Sequence, residues 1–69
     1  MAKTLLTDSR DIIRRLEADG FELVSVRGSL QKYRRETRTV ILPHPRRDIP
    51  IGTARSIYRQ AGWALDGSN

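Results

Sequence analysis

A chain of 69 residues with no cysteine and a single histidine has no covalent or metal staple open to it. A disulfide needs two thiols, and a structural zinc site draws its ligands mainly from Cys and His. Domains of this size bury only about 60% of the surface their unfolded chains expose, which is why many of them add such staples. This one has to close an apolar core or lean on a partner. The length leaves room for one domain, 1–69, with a core at 8–62 and a tail at 63–69. It excludes a multi-domain enzyme with an enclosed cofactor pocket.

The hydrophobic pattern changes period along the chain. From Asp8 to Asp19, Ile12, Ile13 and Leu16 fall at i, i+1 and i+4, one stripe of a helix. Arg10, Arg14, Arg15 and Glu17 take the polar side. Thr7, Asp8 or Ser9 supplies the N-cap, and Gly20 is placed to close the helix. Leu5 and Leu6 precede the cap and are placed to staple against the first turn.

At Phe21 the period becomes two. Val24 and Val26 alternate with Ser25 and Arg27, so 21–26 reads as a strand. Arg27-Gly28-Ser29 is a turn, and Leu30 to Arg35 a second strand. Glu36-Thr37-Arg38 connects it to a third, Thr39 to Leu42, ended by Pro43. A loop, Pro43 to Asp48, leads to a second helix from Pro50 or Ile51 to Ala61. Ile51, Ala54, Ile57, Tyr58 and Ala61 form its apolar stripe. Gly62 closes it, and Trp63 is placed to pack on Tyr58. Asp66-Gly67-Ser68-Asn69 reads as a frayed tail. The expected fold is α+β, in the order α-β-β-β-α, with both helices on one face of a three-stranded antiparallel sheet and the other face open.

Charge is concentrated in one third of the chain. Residues 25–47 hold Arg27, Lys32, Arg34, Arg35, Arg38, Arg46 and Arg47 against Glu36 alone, net +6, while the whole chain is +5. A single-sign cluster of this kind is the footprint expected for a polyanion. The competing reading is a solvated Arg-rich surface that binds nothing in particular. No apolar run approaches the roughly 18 residues that span a bilayer, and Met1-Ala2-Lys3-Thr4 lacks the apolar stretch of a signal peptide. A cytoplasmic location without membrane contact is expected.

Strand alternation sorts the second strand: Gln31, Tyr33 and Arg35 point one way, Leu30, Lys32 and Arg34 the other. If Tyr33 faces the core, Leu30 lies with Lys32 and Arg34 on the open basic face. A register slip of one residue would instead bury Leu30. His44, in a Pro-rich basic loop, is suited to a phosphate contact or to proton transfer, or is an exposed loop histidine without a role. Gly52-Thr53 at a helix N-terminus is a weak anion-binding signal. No nucleophile–base–acid arrangement or carboxylate pair can be assembled.

Several stretches together resemble one family. They are Leu16-Glu17-Ala18-Asp19-Gly20-Phe21-Glu22-Leu23-Val24, Gly28-Ser29, Pro43-His44-Pro45, Ile49-Pro50-Ile51-Gly52-Thr53, and Ile57 with Gln60-Ala61-Gly62. In this order, over roughly Asp8 to Gly62, the chain resembles the HicA toxins of bacterial type II toxin–antitoxin systems, the YcfA-like family. The resemblance implies a fold like a double-stranded-RNA-binding domain and a metal-independent endoribonuclease that cleaves mRNA without a cofactor. It also implies a HicB-type antitoxin that docks over the active site, and a toxin that is monomeric when free. The family's catalytic residue is a histidine directly after Gly-Ser.

Here the chain departs from the family: the residue after Gly28-Ser29 is Leu30. Leucine carries neither an ionisable group nor a hydrogen-bonding atom on its side chain. The resemblance therefore implies an mRNA-cleaving toxin whose catalysis is lost or strongly impaired. Gly28, Ser29, Lys32, Arg34, Arg35, His44, Arg46 and Arg47 remain as RNA-binding candidates. Loss of activity by selection or by intent, and a natural degenerate toxin that keeps its binding, both fit Leu30. The family also has a histidine at the position of His44, so His44 is not a relocated catalyst. A non-catalytic RNA-binding module of the same fold is the alternative. A DNA-binding regulator is weaker, because no helix-turn-helix pattern is present.

Overall fold

The first helix, α1 (Ser9–Ala18), begins where Asp8 leaves the helical region at φ −96°, ψ 124° and its carboxylate accepts from the Arg10 N–H at 3.0 Å. Asp8 is thus the N-cap among the three expected candidates. The computed structural model describes residues 5–64; the tail from Asp66 to Asn69 and the segment Met1 to Thr4 lie outside the described residues. Ile12 and Leu16 are fully buried on one side of α1. After Ala18 the Gly20 and Phe21 N–H groups donate back to Glu17 and Leu16 C=O at 3.1 and 2.9 Å, a Schellman closure that drops Phe21 into the core.

Three antiparallel strands follow in the spatial order β1-β2-β3: β1 (Glu22–Arg27), β2 (Leu30–Arg35) and β3 (Arg38–Pro43). Gly28, at φ +54°, makes the tight β1–β2 turn, a conformation that Gly adopts without steric cost. The β2–β3 turn puts Glu36 at φ +56°, unusual for a residue with a Cβ. Tyr33 pairs with Val40 on β3 and Leu23 on β1.

Helix α2 (Ile51–Ala61) starts directly after Pro50. Ala54, Ile57, Tyr58 and Ala61 are buried as the stripe implied, but Ile51 is 58% exposed. Helical side chains lean toward the N-terminus, so in the first turn Ile51 projects past the packed stripe. Ile49 is buried in its place, its N–H donating to Thr7 C=O at 2.8 Å. At the other end, Gly62 adopts φ +79° with the Arg38 guanidinium against it; a Cβ there would lie 2.6 Å from Arg38 Cζ. Trp63 is no part of a loose tail. It meets Tyr58 edge to face at 5.1 Å, holds the Arg15 guanidinium 4.2 Å from its ring centre, and donates from Nε1 to Asp19 at 3.0 Å.

Both helices share one core with the sheet. Ile12 and Leu16 from α1, Phe21, Tyr33, Val40 and Leu42 from the sheet side, and Ile49, Ala54, Ile57 and Ala61 from the α2 side form a single cluster, with Leu5 and Leu6 packed at its margin. This is the expected α-β-β-β-α arrangement, consistent with a double-stranded-RNA-binding-domain-like fold. The helices lie over β2 and β3 more than over β1. Leu23, Val24 and Val26 on β1 are about half exposed, and a bulge breaks the pairing between Leu23 and Ser25. Among the described residues no helix is long and apolar enough to cross a membrane.

Candidate functional site

The register decides which side chains share the open face. Paired residues on antiparallel strands project to the same side. Tyr33 is 3% exposed, so its partners Val40 and Leu23 lie on the helix side, and the intervening pairs face away from the helices. Leu30 opposite Pro43 and Arg27, Lys32 opposite Ile41 and Ser25, and Arg34 opposite Thr39 and Glu22 therefore line the uncovered face. The one-residue slip that would have buried Leu30 does not occur. Its side chain stands 47% exposed, and Ile41 beside it 43%.

Between these side chains lies a concavity of about 330 Å³ lined by Ser25, Arg27, Leu30, Gln31, Lys32 and Ile41. Its lining combines the apolar side chains of Leu30 and Ile41 with the cations Arg27 and Lys32. Cations in such a lining suit phosphate oxygens, and apolar side chains suit the face of a base. Leu30 itself can neither accept nor deliver a proton. Gly28 and Ser29, both exposed, form the turn at one end. Arg34 lies farther along the same face, its Nε donating to Glu36 C=O at 3.3 Å.

Arg35 does not join this group. It is on the Tyr33 side of β2, half-buried, with Nη1 donating to Asp19 C=O at 2.7 Å and its guanidinium 5.1 Å from the Phe21 ring centre. It ties β2 to the end of α1. Arg46 and Arg47 are exposed in the β3–α2 loop. His44 continues the β2–β3 ladder past Leu30, its N–H donating to Ser29 C=O at 2.7 Å. One edge of its ring reaches α1, where Nδ1 lies 2.7 Å from Ser9 Oγ. Gly52 and Thr53 are exposed in the first turn of α2, away from the residues lining the concavity.

Arg27, Ile41 and Ser9 were not among the site residues expected from the sequence. The first two were within reach: a two-residue turn at Gly28-Ser29 pairs Arg27 with Leu30, and the meander then sets Ile41 against Lys32. Nothing local marked the contact of Ser9 with His44. Among the described residues no three His, Cys, Asp or Glu side chains cluster as metal ligands would.

The family model for the HicA toxin of bacterial toxin-antitoxin systems matches residues 9–63, from the first residue of α1 to Trp63. The chain belongs to the HicA toxin family. No curated protein matches it significantly. Membership makes this a toxin-type component of a toxin–antitoxin system, and the α-β-β-β-α fold and the family match describe the same span. On this HicA chain the residue following Gly-Ser stands on the uncovered sheet face, at the end of β2 nearest the turn.

Proposed function

We propose that this chain is a HicA-type mRNA interferase that retains its RNA-binding face and has lost the proton carrier at position 30. The observation that carries this reading is the placement of Leu30: half exposed, in a concavity between Arg27 and Lys32, directly after the Gly28-Ser29 turn. A histidine at that position would take a proton from a ribose 2′-OH or return one to the leaving 5′-oxygen, while the cations hold the phosphodiester. A leucine leaves the cations and removes the proton transfer. Gly28, Ser29, Lys32, Arg34, His44, Arg46 and Arg47, with Arg27, make up the binding surface. Arg35 acts in the fold. No metal or organic cofactor enters this mechanism.

The partner in this reading is an acidic HicB-type antitoxin that covers Leu30 and the basic strand. Complementary charge speeds such an encounter. Leu30 adds apolar area without changing charge, so the complex is expected to survive the substitution. Co-expression with the neighbouring reading frame, followed by size-exclusion chromatography, checks it; two separately eluting proteins would count against the pairing.

Leu30→His is the deciding experiment. Induced without antitoxin, the unaltered chain is expected neither to arrest growth nor to cleave transcripts. The histidine variant is expected to do both, through a general acid–base gain of about 10²- to 10⁴-fold. Robust cleavage by the Leu30 chain would overturn the assignment of catalysis to this position. A folded but inert Leu30→His variant that still binds RNA would favour the second reading, a non-catalytic RNA-binding module. The exposed apolar pair Leu30 and Ile41 is the feature that suits that alternative.

A further inference from the structure

Ser9 is 0% exposed, although serine is mostly a surface residue. Its Oγ has two neighbours among the described residues, Arg46 N at 2.9 Å and His44 Nδ1 at 2.7 Å. The Arg46 N–H can only donate, so Oγ accepts there. The one hydroxyl proton then has Nδ1 as its acceptor. The alternative, an imidazole with its proton on Nδ1, would aim two donors at Oγ and strand the buried hydroxyl proton without a partner. The arrangement is held from both sides, because Ser9 N also donates to Arg46 C=O at 2.8 Å.

A neutral imidazole that accepts at Nδ1 carries its proton on Nε2. The basic nitrogen of His44 is therefore occupied, and the nitrogen left for a ligand is a donor. Among the described residues Nε2 has no hydrogen-bond partner. The His44 backbone lies against Ser29 at the turn, with exposed Arg46 and Arg47 following within three residues. Phosphodiester oxygens are acceptors only, which a fixed N–H donor beside two cations matches.

We propose that Ser9 is a positioning residue that holds His44 as an Nε2–H donor to an RNA phosphate oxygen beside the Gly28-Ser29 turn, and keeps it from serving as a proton acceptor. This role rests on the RNA-binding reading given above. A His44 held in this way does not stand in for a base at position 30.

His44 is the only histidine in the chain, so long-range ¹H–¹⁵N correlation spectra report its ring without overlap. At a pH where the ring is neutral, the unaltered chain is expected to show the Nε2–H form as the dominant tautomer. Ser9→Ala is expected to give a mixture of tautomers. Binding of a short single-stranded RNA oligonucleotide is expected to weaken about three- to tenfold in Ser9→Ala and in His44→Ala. His44→Gln, whose amide N–H₂ reaches the same place, is expected to retain affinity. The unaltered spectrum and the two His44 variants decide the matter even if Ser9→Ala does not fold. A dominant Nδ1–H tautomer, or equal RNA affinity in His44→Ala and the unaltered chain, would overturn the proposal. No RNA binding by the unaltered chain at low salt removes the RNA reading and this role together.

Discussion

Tyr33 shows at the scale of one residue how burial turns into pH dependence. The residue is 3% exposed, and its hydroxyl donates to Gln31 Oε1 at 3.0 Å. Burial first, and the Glu17 carboxylate second, push its phenol above the ordinary range. Both penalise the phenolate, so the folded state holds the proton more tightly than the unfolded chain. The stability this contributes is fully present below the unfolded pKa of about 10 and is lost as pH rises through the higher folded value. Urea denaturation at rising pH is expected to show a stability loss beginning near pH 10, and Tyr33→Phe is expected to shrink it. At neutral pH the same variant is expected to lose about 1 kcal/mol with the hydrogen bond to Gln31. An alkaline limb identical in both proteins would contradict this account. Asp8 has the opposite sign. The Arg10 guanidinium, then the Arg10 backbone N–H, hold its carboxylate below the usual range, so its contribution is present at neutral pH and lost on acidification.

At the scale of the element, the three strands differ in what covers them. Val40 and Leu42 on β3 are fully buried, and Val24 and Val26 on β1 are about half exposed. A stretch as apolar as Leu23-Val24-Ser25-Val26 looks like a core strand, yet the helices lie over the other two strands. Leu42→Ala is expected to cost about 2–5 kcal/mol, the lost transfer energy plus a cavity. Val24→Thr and Val26→Thr are each expected to stay within about 0.5 kcal/mol of the parent, as exposed substitutions do. Chemical denaturation of the three variants checks the contrast. A large loss from either valine would mean that β1 is covered in solution.

For the whole molecule, the basic third of the chain divides between the two faces of the sheet. Lys32 and Arg34 share the uncovered face, whereas Arg35 joins β2 to Asp19 and Phe21 on the other. If the uncovered face binds single-stranded RNA, log affinity against log salt falls by about 0.7 for each phosphate neutralised. Lys32→Ala with Arg34→Ala is expected to flatten that slope by about one to one and a half units. Arg35→Ala is expected to leave the slope alone and lower the thermal midpoint. Titrations at several salt concentrations separate the two outcomes. An unchanged slope in the double variant would leave the basic face as a solvated surface.

The order of the elements, the Asp8 cap region, the Gly28-Ser29 turn and the Trp63–Tyr58 contact were all legible in the sequence. Each is set by residues within about one turn of helix or one hairpin of each other, where periodicity, capping and turn chemistry act directly. The exchange of Ile51 for Ile49 in the core, the uncovered β1, the union of Arg35 with Asp19 and the burial of Ser9 against His44 were not. Arg35 and Asp19 are 16 positions apart, and Ser9 and His44 are 35 apart. Such contacts form only when the helices settle on the sheet, and that packing depends on the shape of the whole core. Local sequence decided what each segment becomes; tertiary packing decided which side chains stay on the uncovered face.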